Sequence, residues 1–148
     1  MKLKVKLLTK NGVTAPVPGR ATAGSAGYDL SACMAEPLTL QPGQRTRLDT
    51  GVCVQIPEGY VGLVCIRSSL GVKHGIMLTN SVGVIDSDYR GEIMIGVMNT
   101  SGQPYTINPL DRIAQLVIVP FFGAETETVP ELDESARSDG GFGSTGKK

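Results

Sequence analysis

Apolar residues recur along the chain in short runs with a period of two. Leu3, Val5 and Leu7 alternate with lysines, and Ile93, Ile95 and Val97 recur at every second position. Val52–Ile56 and Val61–Ile66 are rich in β-branched residues, and Ile113–Val119 is almost continuously apolar. Side chains that alternate between two faces make a half-buried strand, and β-branched runs pack well on a pleated surface. Turn chemistry separates the runs at Lys10-Asn11-Gly12, Gln41-Pro42-Gly43 and Ile56-Pro57-Glu58-Gly59. The longest stretch free of both glycine and proline is Met1–Asn11, so long helices have nowhere to propagate. Many short strands at this spacing predict an all-β sandwich or barrel. At most one short helix fits, over Ser68–His74, weakened by Gly71.

The pattern changes near the end. Residues 1–123 read as one β-barrel core, 124–136 as a mixed and acidic connector, and 137–148 as a glycine-rich tail. A segment such as Gly140-Gly141-Phe142-Gly143-Ser144-Thr145-Gly146 has too little apolar surface to pack alone. It is expected to become ordered only when something binds it.

Composition narrows the function. At 148 residues the chain makes one domain, long enough to bury a core without disulfides or metals. Its 14 basic and 14 acidic residues balance, which argues against wrapping nucleic acid, a task that needs a cationic excess. A polyanion bound here is therefore expected to be small. Three cysteines, Cys33, Cys53 and Cys65, sit among valines and small residues and read as buried free thiols. One histidine and no CxxC pair exclude most zinc sites. Met1–Leu8 lacks an apolar run long enough for a signal peptide or membrane span, so the expected location is the cytoplasm, away from membranes.

Two tempting motifs fail on context. Gly141 through Lys147 imitates a phosphate-binding loop, but Lys148 stands where a hydroxyl must bind magnesium, and no helix follows. Asp86-Ser87-Asp88 imitates a calcium loop, yet Arg90 and Val97 occupy ligand positions. More informative is Arg67-Ser68-Ser69-Leu70-Gly71, which offers a guanidinium, hydroxyls and exposed N–H groups suited to phosphate oxygens, as the tail does. Asp86 follows Val84 and Ile85 in an acidic turn, where a partly screened carboxylate can hold and deprotonate a water; a turn aspartate capping its own backbone is the plainer alternative. Asp29 carries the same ambiguity. His74, between Lys73 and Gly75, reads as solvated or structural rather than as a general base.

Five segments in order resemble the motifs of the trimeric dUTP diphosphatases (dUTPases): Ala26–Ala32, Arg67–Gly71, Asn80 through Gly91, Asp111–Gln115 and Arg137–Thr145. The resemblance spans nearly the whole chain. It implies a homotrimer of jelly-roll-like subunits, of the β-clip kind, with active sites shared between subunits. It implies hydrolysis of dUTP to dUMP and diphosphate by in-line attack of water at the α-phosphorus, limiting uracil in DNA and supplying dUMP for thymidylate synthesis. Asp86 resembles the base that activates the water, and Tyr89 the residue that packs on the deoxyribose. Asn80 and the hairpin of Gly83, Val84, Ile85 and Met94 resemble the reader of the uracil edge. Arg67, Ser68, Ser69 and Gln115 match phosphate binders. Asp29 matches a carboxylate that approaches Mg2+ through water, the ion being held mainly by the substrate phosphates. In the tail, Phe142 is implied to stack on uracil beside Gly143, while Arg137, Ser144 and Thr145 reach the phosphates.

The sequence departs from the family pattern at Ile66, where many members have proline, and at Ser69, where many have glycine. Arg-Ser-Ser-Leu-Gly also occurs in the dCTP deaminases, but the glutamate that handles the cytosine proton there would fall near Gly96, and glycine cannot do that chemistry. A third alternative, a β-trimer that only binds partners, is disfavoured by the presence of both Asp86 and the full tail.

Overall fold

The computed structural model describes residues 2–135. In chain order the strands are β1 (Lys4–Leu7), β2 (Thr9–Lys10), β3 (Val13–Thr14), β4 (Gly27–Ser31), β5 (Leu38–Leu40), β6 (Arg45–Gln55) and β7 (Tyr60–Ile66). The helix α1 (Ser68–His74) follows, then β8 (Ile76–Leu78), β9 (Gly83–Ile85), β10 (Glu92–Asn99), β11 (Tyr105–Ile107) and β12 (Arg112–Pro120). Two four-stranded antiparallel sheets, in the orders β1-β6-β10-β8 and β4-β12-β7-β9, enclose the core, and β11-β5 and β2-β3 form small pairs beside them. Sequence neighbours rarely pair, which is the mark of a jelly-roll-like barrel rather than a meander. The expected all-β fold with one short helix is what the chain adopts.

Alternation does the packing. In β10, Ile93, Ile95, Val97 and Asn99 point inward while Met94 faces out. Leu30, Leu40, Ile76, Ile107, Ile113 and Leu116 complete an interior closed to solvent. Where sheets approach closely, glycine is required: a Cβ at Gly62 would lie 2.8 Å from both Ile56 Cδ1 and Leu116 Cδ1. The α1 helix buries only Leu70 and ends at Gly75, whose left-handed backbone (φ 64°) sends its carbonyl to the N–H and hydroxyl of Thr100, both at 2.8 Å. Its formation rests on these tertiary contacts rather than on propensity.

Asn99 is the one fully buried amide among the described residues. Its Nδ2 donates to the carbonyls of Leu40 (2.9 Å) and Gln103 (2.8 Å), and its Oδ1 accepts from the N–H and hydroxyl of Ser101. Asn99→Ala should strand these groups in the interior and cost about 2–4 kcal/mol, since each buried orphan costs ~1–3 kcal/mol. A urea melt at fixed chain concentration reads the shift, and an unchanged midpoint would contradict it.

Several strands differ from expectation. The run at Val52–Ile56 is only the end of an eleven-residue strand that begins at Arg45. Arg45 and Arg47 alternate with Thr46 and Leu48, so the charged face masks the period. β4, β5, β8 and β11 carry too few apolar residues to announce themselves and are held by partners far away in sequence. Cys33 and Cys53 are buried as expected, whereas Cys65 is only half-buried. Residues 124–135 form no strand or helix.

Candidate active site

The hairpin from β9 to β10 carries the first cluster. Its two strands leave in different sheets: β9 pairs with β7, and β10 with β6. β8 reaches β10 only at Val97–Asn99. The inner edges of Gly83–Ile85 and of the first half of β10 therefore face each other without a ladder between them. The gap is a cleft of about 260 Å³ lined by Asn80, Gly83, Val84, Ile85, Asp86, Tyr89 and Met94, over a floor that includes Val64 and Leu78. This is below the ~300–1,000 Å³ of pockets that enclose a drug-sized ligand, so it suits the compact part of a larger molecule. Seven predicted residues thus meet in one place.

Local chemistry shapes the turn. Tyr89 N–H donates to the Asp86 carbonyl (3.2 Å), closing the acidic turn, and Arg90 Nη1 donates to the carbonyls of Ser87 (2.6 Å) and Tyr89 (2.9 Å). The Tyr89 hydroxyl donates to the Glu92 carbonyl at 2.9 Å, and its ring lies in space that any Cβ at Gly91 would invade. Asp86 is exposed in the single chain. The screening expected from Val84 and Ile85 is not provided by these neighbours, because Val84 points outward and is 62% exposed.

The second cluster lies on β4, β7 and β12. Register places Asp29 opposite Gln115, with Arg67 just beyond the end of β7. The Asp29 carboxylate receives Arg112 Nη1 at 2.8 Å, Arg67 Nε at 3.5 Å and Gln115 Nε2 at 3.5 Å. Gln115 can lie flat because Gly27 has no side chain: a Cβ there would be 3.1 Å from both Gln115 Cβ and Cδ. Ser68 and Ser69 open α1 beside Arg67, and Ser69 joins Arg67 and Arg112 around a second cleft of about 310 Å³. His74 also lines that cleft, its ring 4.6 Å from Tyr105 and tilted by 40°, which fits a structural role. Arg112 was not singled out by the sequence, although it lies inside the Asp111–Gln115 segment. Its pairing with Asp29 becomes visible only through the sheet register.

The clusters are apart within one chain. Gly62 pairs with Ile85, so Asp86 stands level with Val61, six residues before Arg67 on β7. At ~3.3 Å per residue that is roughly 20 Å. Arg137, Phe142, Gly143, Ser144 and Thr145 lie outside the described residues. Among the described residues no three His, Cys, Asp or Glu side chains gather as a metal set, and no helix is long and apolar enough to cross a membrane. A Cβ at Gly96 would meet the Thr79 hydroxyl, which would have to turn aside to admit a side chain there.

A family model described as dUTPase matches residues 14–146. The deoxyuridine 5'-triphosphate nucleotidohydrolases of Hahella chejuensis and Paraburkholderia phymatum are 50% and 49% identical to the chain. Each match covers 99% of the chain and 97% or 99% of the relative respectively. Among solved structures, the dUTPase of Staphylococcus bacteriophage 80alpha with dUpNHpp superposes with a TM-score of 0.87 at 34% identity, covering 98% of each chain. A variant dUTPase of phage phi11 of S. aureus, described as revealing the coordination of a structural Mg(II) ion, gives 0.77 at 32% identity over 88% of this chain and 98% of its own.

Proposed function

The chain belongs to the dUTPase family, and from that premise we propose how its two clusters divide the work on dUTP. It is a dUTP diphosphatase, converting dUTP to dUMP and diphosphate and so limiting uracil in DNA while supplying dUMP for thymidylate synthesis. The observation that carries the assignment of parts is the open hairpin. Two facing strand edges offer the alternating donors and acceptors that a flat pyrimidine edge needs, and strand edges bind by the same groups that build sheets. Asn80 and the backbone of Gly83, Ile85 and Met94 read uracil, and Val84 shapes the outer strand.

Tyr89 packs against the deoxyribose. Asp86, on the same turn, takes the proton of the water that attacks the α-phosphorus, general-base work worth on the order of 10²–10⁴ in rate. Arg67, Ser68, Ser69 and Gln115 hold the phosphates, the guanidinium offsetting charge that moves onto the diphosphate as the bond breaks. Arg112 belongs with them, because it shares Asp29 with Arg67. Nucleotide phosphates would compete for both arginines, and Asp29 keeps them aligned until then.

Mg2+ fits this chain only as a partner of the substrate. Asp29 is already engaged by two arginines and an amide, so its carboxylate would meet the ion through water, with the phosphates as the main ligands. Bound there, the ion would neutralise phosphate charge.

The separation of the clusters supports a homotrimer with shared sites. Roughly 20 Å between Asp86 and Arg67 in one chain is too far for one triphosphate nucleotide to bring its α-phosphorus to the base and keep its phosphates on Arg67. A neighbour's Arg67 cluster beside this chain's hairpin meets the need, and a tail from a third chain, through Arg137, Phe142, Gly143, Ser144 and Thr145, closes the site and excludes water. The expected location remains the cytoplasm.

Deamination of dCTP is disfavoured because Gly96 stands near where the glutamate that handles the cytosine proton would fall. The deciding assay supplies dUTP and dCTP separately, with and without EDTA. Diphosphate should appear from dUTP alone and fall steeply with EDTA, whereas ammonia from dCTP or full activity in EDTA would overturn the reading.

A further inference from the structure

Glu92 stands where the ladder between β6 and β10 is broken. Glu92 pairs with Cys53 and Met94 with Asp49, so Thr50, Gly51 and Val52 oppose Ile93 alone. Gly51 adopts a left-handed backbone (φ 66°), and a Cβ there would lie 2.9 Å from Cys33 Sγ and 3.0 Å from the Leu8 carbonyl. A bulge of this kind redirects a strand and loosens its register at the point of insertion. Side chains fix it here. Glu92 Oε1 accepts the Gly51 N–H at 2.8 Å, and Glu92 Oε2 lies 2.7 Å from Lys10 Nζ, whose ammonium also reaches Asp49 at 3.4 Å. Only 9% of the Glu92 side chain is exposed, so this carboxylate is shielded where most surface acids are not. The hydrogen bond from Lys10 to Glu92 raises the Lys10 pKa above its ordinary value, which holds the ammonium in its charged form.

Three residues before Glu92 is Tyr89, and the two touch through the other end of Glu92: the Tyr89 hydroxyl donates to the Glu92 carbonyl. That carbonyl is therefore held from behind by its own side chain. We propose that Lys10 and Glu92 are positioning residues for sugar selectivity, clamping the bulge so that the Glu92 carbonyl holds the Tyr89 ring against the space a 2′-hydroxyl would occupy. The clamp also ties the β2-β3 pair, which carries Lys10, to the substrate cleft. The inference rests on the reading of Tyr89 given above.

The readout is the ratio of kcat/KM for dUTP over that for UTP, which a fault in folding alone would not alter. Lys10→Met should lower this ratio on the order of tenfold, since displacement of a positioning group by under 1 Å is worth up to ~10²-fold. Glu92→Gln, which keeps an oxygen for Gly51 but loses the charge, should do the same, and Lys10→Arg should restore most of the selectivity. In a Tyr89→Ala background, where the ratio has already collapsed, Lys10→Met should have no further effect on it. Lys10 is one-third exposed, so Lys10→Met decides the matter even if Glu92→Gln fails to fold. If Tyr89→Ala collapses the ratio while Lys10→Met and Glu92→Gln leave it at the wild-type value, the clamp is overturned and the reading of Tyr89 stands. Equal losses from Lys10→Met with and without Tyr89 would likewise overturn it. A ratio untouched by Tyr89→Ala would remove both readings together.

Discussion

Asp86→Asn should lower kcat for dUTP on the order of 10²–10⁴-fold while the nucleotide still binds. Asparagine keeps the shape of the side chain at the mouth of the hairpin and cannot accept the water's proton. Because Asp86 is exposed in the single chain, nothing in the core depends on its charge, and the variant should fold and assemble as the wild type does. Single-turnover rates and binding of a non-hydrolysable dUTP analogue separate the two effects. A rate within threefold of wild type would remove Asp86 from the chemistry.

The second large effect is a recovery. A chain ending before Arg137 keeps Asp86 and lacks the tail proposed to close the site, and Asp86→Asn keeps the tail and lacks the proposed base, so each should be nearly inactive alone. Refolded together in equal amounts with random assortment, a site is intact when its base comes from a truncated chain and its tail from an Asp86→Asn chain. In a trimer whose sites draw base and tail from different subunits this holds for about a quarter of sites, and about a quarter of wild-type activity should return. The roughly 20 Å between Asp86 and Arg67 gives a reason for base and phosphate cluster to come from different chains, and the co-refolding tests whether the tail is shared as well. If mass measurement confirms mixed trimers and activity stays at the sum of the two residual rates, base and tail belong to one chain.

How much the sequence revealed depended on whether a signal was local. β7 and β12 announce themselves through β-branched runs, α1 as the one place where a short helix fits, and the acidic turn at Asp86 through the apolar pair that runs into it before the next strand. Arg112 and Asp29 are separated by 82 intervening residues of chain and meet only because β4 and β12 are in register, which no local pattern encodes. Glu92 carries no local signal in the sequence. Its role comes from Gly51 and Lys10, brought to it by the broken ladder between β6 and β10. The screening expected at Asp86 failed for a related reason: alternation turns Val84 outward, so a residue that lines the cleft with Asp86 does not cover its carboxylate.

The open hairpin also bears on how this enzyme can evolve. If the base is recognised by main-chain groups of Gly83, Ile85 and Met94 with Asn80 as the one side chain among the readers, most of the information that distinguishes one pyrimidine from another is not written in replaceable side chains. Every substitution except proline leaves the amide and carbonyl in place. Base preference should then resist drift by point mutation, and a lineage that came to accept a different base would be expected to carry an insertion or deletion that changes the spacing between β9 and β10.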